Sequence, residues 1–318
     1  MNNKVRLPQA AIIVTLGILL SLVTQYVPML SILGLVIPVP YAMIGTLTNS
    51  KYSFLSVVAT FFVLMFTVNP IYSVTICIMK VLPGIAIGSV AKEHLKQGEV
   101  NKFEPIYMGM IANVLCTIFF FLIANVLFKT NIFESFMAIV KESMNIQVEV
   151  MKNTGINLGE GFTVNSMVDF TRNILPTILF IQGLIVSFIV YYFEVFILKR
   201  IRIVNLPLPK VADFYLPGNA VTTSFILYMI VLFIDIIGIN IHTELIMINL
   251  QFVFNLMFTI QGISVCIYFF RKWIKEGSGR MILTYGLILC IFGFMGISFV
   301  GMLDSIIDFR KVRSYKSI

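Results

Sequence analysis

Charge is what this chain has least of. Only 12% of its 318 residues are Asp, Glu, Lys or Arg, against 58% hydrophobic, where soluble domains carry about 25% charged residues. So little polar surface excludes an ordinary soluble globule. Histidine occurs only as His94 and His242, and neither has a second histidine or suitably spaced carboxylates beside it, so no metal set is expected. The four cysteines, Cys77, Cys116, Cys266 and Cys290, stand singly in apolar stretches without C-x-x-C spacing, which indicates neither a zinc site nor a disulfide framework. The phosphate loop G-x-x-x-x-G-K-(S/T), the G-x-S-x-G elbow and H-E-x-x-H are all missing. The expectation is no enzyme and no cofactor.

Apolar sequence is there in abundance, with a mean hydropathy of +0.96. Apolar segments fall at residues 9–27, 29–48, 53–69, 71–91, 106–128, 173–198, 219–239, 244–270 and 281–303. Most approach the ~20 residues that carry a helix across a bilayer, and none shows the short alternation of a membrane barrel. The predicted fold is an all-α integral membrane protein, a polytopic helical bundle of eight to nine transmembrane segments. The net charge of +8 does not point to nucleic acid, because the basic residues lie mostly in short loops. With Lys4 and Arg6 inside, Lys51, Lys92, Lys96, Lys199, Arg200, Arg202, Lys210, Arg271, Lys272, Lys275 and Arg280 fall on that same side. By the positive-inside rule this predicts a bacterial plasma-membrane protein with a cytoplasmic N-terminus and membrane lipids as partners. Segment 281–303 either crosses, leaving Arg310, Lys311, Arg313 and Lys316 outside, or folds back at a glycine and keeps the tail inside.

Residues 36–92 hold the densest clues. Pro40-Tyr-Ala-Met-Ile-Gly45-Thr-Leu and Pro83-Gly-Ile-Ala-Ile-Gly88-Ser-Val repeat a Pro-x-x-x-Ile-Gly-(Thr/Ser)-(Leu/Val) pattern. Proline frees a backbone carbonyl one turn earlier and small residues admit a close neighbour, so Pro40, Gly45, Pro83, Gly84 and Gly88 are expected helix breaks and packing points. The pattern reads either as paired interrupted helices lining a site or as chance similarity. Lys80, one turn before Pro83, sits at mid-span, where a lysine costs about 2.5–3.5 kcal/mol and needs an interior partner. That partner is an anionic ligand, or the carboxylate of Asp235, or both in turn. In the eighth segment Glu244, Gln251, Asn255, Thr259, Gly262 and Cys266 share a face. Lys80, Asp235, Gln251, Asn255 and Thr259 thus form the candidate substrate-binding set, with packing between helices as the competing use of the stripe. Glu194 lies close to Lys199 and is expected to reach the interface.

Two non-spanning stretches stand out. In residues 129–172, Phe133, Phe136, Met137, Val140, Met144, Val148 and Met151 recur at helical spacing, which predicts an outer amphipathic helix. A turn follows at Gly155, Gly159 and Gly161, and a second helix is expected from about Asn165 into the sixth span. The connector 199–218 holds Pro207, Pro209 and Pro217, and Arg200, Arg202 and Lys210 are its candidate docking residues for a cytoplasmic partner or for lipid. The expected division is a six-helix core with its outer loop, residues 1–203, and a second part, residues 204–318, with further spans and the basic tail.

The IPVPY break, the LPG-x-A-I-G segment, the proline-rich loop after LKR and the ending Gly301-Met-Leu-Asp304-Ser-Ile-Ile-Asp308-Phe-Arg310-Lys311 resemble the YybS-like family of bacterial membrane proteins, which implies a membrane location but no activity. In layout the first six spans also resemble the substrate-binding S components of energy-coupling factor transporters. That likeness implies a small-molecule solute and an energy-coupling protein partner. Here Ala11 with Thr15 and Gly17 with Ser21 stand where those proteins have Ala-x-x-x-Ala, and the later spans are additional. The functional expectation is a membrane-embedded binding or transport protein for a small polar or anionic solute. The alternative is a non-transporting scaffold or regulator working through the connector and tail.

Overall fold

The computed structural model describes residues 7–97, 102–128, 131–154, 163–203, 210–216, 219–238, 242–273, 293 and 296–311. Outside these residues fall Lys4, Arg6, Gly155, Gly159, Gly161, Pro207, Pro209, Pro217, Lys275, Arg280, Cys290, Arg313 and Lys316, together with most of 281–303. The protein is all-helical: no strand occurs among the described residues, and eight helices are long and apolar enough to span a membrane. Two compact units divide the chain, Met1–Leu208 and Pro209–Ile318.

In the first unit, α1 (Leu7–Tyr26) leads through a 3₁₀ stretch, Pro28–Leu35, to α2 (Pro38–Leu47), and α3 (Ser50–Thr67) returns. The next span is α4 (Pro70–Ile76), a π-turn at Cys77–Val81 and α5 (Leu82–Gln97). The π-turn has a local cause. Pro83 has no N–H to donate, and the Leu82 N–H reaches back to the Cys77 carbonyl, so the ladder widens by one residue instead of breaking. Pro40 disrupts nothing, because it sits in the first turn of α2, where an N–H has no partner within the helix. α6 (Glu104–Phe128) and α9 (Leu175–Arg200) complete the bundle core with α2 and α5.

Between α6 and α9 come α7 (Ile132–Asn153) and α8 (Val164–Asn173), which pack on one another. Met137 is the buried residue of α7, with Phe133, Val140, Met144, Val148 and Met151 half-buried on the same face and Phe136 exposed. Arg172 of α8 meets Glu134 of α7 at 3.4 Å and lies over the Phe133 ring. The expected continuous helix from Asn165 is in fact two. Ile174 separates α8 from α9, whose first turn contains Pro176; the proline has no N–H to give the Arg172 carbonyl and its ring crowds that carbonyl, which favours a break there.

In the second unit, α10 (Ala220–Ile237) ends at Gly238 in the left-handed conformation (φ +77°), and α11 (Thr243–Trp273) runs back for 31 residues. A short helix, α12 (Gly296–Ile307), packs on α11 through a close glycine crossing. A Cβ on Gly262 would meet the Ile297 carbonyl oxygen at 1.9 Å, and one on Gly301 the Phe258 carbonyl oxygen at 1.9 Å. α12 spans roughly 18 Å, about three-fifths of the ~30 Å hydrocarbon thickness.

Candidate functional site

The internal echo becomes a symmetric helix crossing. α2 and α5 run parallel, with Gly84 against Pro38 and Gly88 against Ala42. A Cβ on Gly45 would stand 2.6 Å from the carbonyl oxygen of Ile85, and one on Gly88 would stand 1.9 Å from that of Ala42. Ala42 and Ile85 each lie three residues before the glycine of their own copy, so the two motifs present equivalent surfaces to one another. At Gly45, Gly84 and Gly88, named above as packing points, two backbones come together.

Beside this crossing lies a buried group that sequence reasoning passed over. Glu194 of α9 is fully buried, and its Oε1 meets the Thr46 hydroxyl, which also lies 2.9 Å from the Gly88 carbonyl. Its Oε2 has no hydrogen-bond partner among the described residues. Nearness to Lys199 suggested an interfacial carboxylate. The available signal was periodicity, since Tyr191, Glu194, Val195 and Leu198 recur at helical spacing and all face inward.

Lys80 lies in the π-turn, partly buried, and no carboxylate pairs with it among the described residues. It belongs to the first unit, whereas Asp235, Gln251, Asn255 and Thr259 belong to the second. Asp235 is exposed and takes the hydroxyl of Thr243 across the α10–α11 turn. Gln251 is exposed and Asn255 half-buried, while the buried Thr259 hydroxyl donates to the Asn255 carbonyl at 2.7 Å. Ser298 donates to that carbonyl at 3.3 Å. At Thr259 the stripe's polarity is therefore spent within its own helix.

The strongest polar network is in the second unit and uses the C-terminal signature. Arg310, 4% exposed, donates from Nη2 to Asp304 Oδ2 at 2.8 Å and to the Phe214 carbonyl at 2.7 Å, and from Nη1 to the Ala212 carbonyl at 2.8 Å. The buried Gln261 donates to Asp304 Oδ2 at 2.9 Å and accepts from the Leu216 N–H at 2.8 Å. Ser264 adds its hydroxyl to the Val211 carbonyl. The signature thus clasps residues 211–216 of the connector, and Gly301 admits the helix that carries it. Arg200, Arg202 and Lys210 stay exposed.

A family profile described as "Predicted membrane protein (DUF2232)" matches residues 15–305. This chain belongs to that family. Another protein, "Uncharacterized protein YybS" of Bacillus subtilis (strain 168), is 23% identical to this DUF2232 chain over 312 residues, covering 96% of this chain and 97% of the relative. No solved structure matches. Family membership and eight apolar spans make the chain a multi-pass membrane protein in contact with lipid. No group of three or more His, Cys, Asp or Glu that could hold a metal occurs among the described residues.

Proposed function

We propose that this protein binds, and moves across the membrane, a small polar or anionic solute, with the first unit as the binding core. Lys80 carries the reading. It stands ten residues into the Pro70–Glu93 span, partly buried, in a π-turn and without a carboxylate partner among the described residues. Lysines at such depth face an interior and take a partner, and π-turns inside helices are concentrated at functional sites. An anionic group on a solute supplies the missing counter-charge. Asp235 serves the α10–α11 turn through Thr243, so it has no part in this reading. Energy would come from an ion gradient or a partner protein.

The test is the thermal stability of the purified full chain in detergent across vitamins, nucleotides, amino acids and organic acids, comparing wild type with Lys80→Met. A ligand selective for the folded state raises Tm by mass action, equivalent to about 2.7 kcal/mol at one hundred times its Kd. The expected result is a shift by one class of anionic compounds that is lost in Lys80→Met. A well-folded wild type that no compound shifts, or a shift that Lys80→Met retains, sinks the reading.

A further inference from the structure

A polar cleft opens at the head of α3, apart from Lys80. It measures about 470 Å³ and is walled chiefly by Thr48, Ser50, Ser53, Ser89, Lys92 and Glu93, a size suited to a small ligand. Three observations concern what fills it. First, α3 is an 18-residue helix starting at Ser50 in the cleft wall, and the N-cap residue Asn49 provides no side-chain hydrogen bond to it. The N–H groups of Tyr52 and Ser53 donate to the Asn49 carbonyl at 2.9 and 3.1 Å, so those of Ser50 and Lys51 are left for another acceptor, with the positive end of the helix dipole behind them.

Second, Ser53 is only 9% exposed and lines the cleft, yet its hydroxyl has no hydrogen-bond partner among the described residues. The next buried hydroxyls on α3 behave differently: Ser56 donates to the Ser53 carbonyl at 2.6 Å and Thr60 to the Ser56 carbonyl at 2.8 Å. As a cleft-lining hydroxyl, that of Ser53 can donate to a bound acceptor. Third, the Lys92 ammonium reaches this wall, where it donates to the Thr48 carbonyl, and Lys51 is exposed in the first turn of α3. Glu93, exposed at the rim, is the one carboxylate of the lining among the described residues.

We propose that this cleft binds a phosphate group, held by the N–H groups at the start of α3, the hydroxyls of Ser50 and Ser53 and the charge of Lys92. Helix N-termini with adjacent hydroxyl and ammonium donors recognise that chemistry. The group is carried either by the headgroup of an anionic lipid or by a soluble phosphate ester. The proposal deepens the anionic-solute reading but stands on residues other than Lys80.

The experiment measures Tm of the full chain in dodecyl maltoside with two probes. One is inorganic phosphate against chloride at equal ionic strength. The other is dioleoyl phosphatidic acid against dioleoylglycerol, which lacks only the phosphate. Wild type shifts upward with at least one probe: with phosphatidic acid alone if the source is lipid, with inorganic phosphate if it is soluble. Ser53→Ala starts from a wild-type Tm, because the lost hydroxyl bonds nothing, and loses the shift. Lys92→Gln weakens the shift, and Lys80→Met keeps it. No shift with either probe, or a shift that Ser53→Ala preserves, overturns the proposal. A shift lost in Lys80→Met but kept in Ser53→Ala overturns it while leaving the Lys80 reading in place.

Discussion

At Gly88 the space for a side chain is already taken. A methyl group there would lie 1.9 Å from the Ala42 carbonyl oxygen, a backbone atom that no rotamer change can move aside. Overpacking a fitted interior costs about 1–3 kcal/mol and more where backbones must part. Gly88→Ala should therefore abolish the monodisperse peak on size-exclusion chromatography of the solubilised protein. Gly34→Ala, with nothing within 4 Å of the added carbon, should leave the peak unchanged. Equal behaviour of the two variants would contradict the close crossing. The echo made Gly45 and Gly88 conspicuous in the sequence, but not what they meet, because a repeated Pro-x-x-x-Ile-Gly also fits a chance recurrence in apolar sequence. Glu194 was hidden for another reason. Distance along the chain to Lys199 says nothing about which face of α9 a residue occupies, and that face is set by α2.

The eight spans were legible because a bilayer demands about twenty apolar residues per helix, a requirement written in composition. The clasp at Arg310 was not, since it joins groups far apart in sequence and its acceptors Ala212 and Phe214 contribute only backbone carbonyls. The tail's basic residues read as one charged patch, whereas Arg310 is buried and Lys311 exposed. Removing one partner of a buried ion pair costs about 3–5 kcal/mol. Arg310→Met should lower Tm markedly, and Asp304→Leu with Arg310→Met should recover part of the loss by removing the stranded carboxylate. If Arg310→Met melts like wild type, the pair contributes nothing to stability.

For the molecule as a whole, charge counting left the fate of the last apolar segment open between crossing and return. In the second unit Arg310 stands against residues that precede α10, with His242 beyond the far end of that helix, and this contact predicts a return. In a variant without native cysteines, Lys210→Cys and Lys311→Cys should react with a membrane-impermeant maleimide from the same side, and His242→Cys from the opposite side. Labelling of Lys210→Cys and Lys311→Cys from opposite sides would refute the return. Which side that is relative to the cell follows from the same experiment in intact cells.

The clasp also sets an order of events during synthesis. The carbonyls of Ala212 and Phe214 wait for a donor made 98 and 96 residues later, long after both have left the ribosome. Until Arg310 emerges, the 211–216 segment lacks that guanidinium and Gln261 lacks the carboxylate of Asp304. A chain that stops short of Arg310 keeps every long apolar span and inserts, yet leaves those polar groups bare. The 211–216 segment is therefore held by the Arg310 guanidinium only once residues nearly one hundred positions further on have been made and packed.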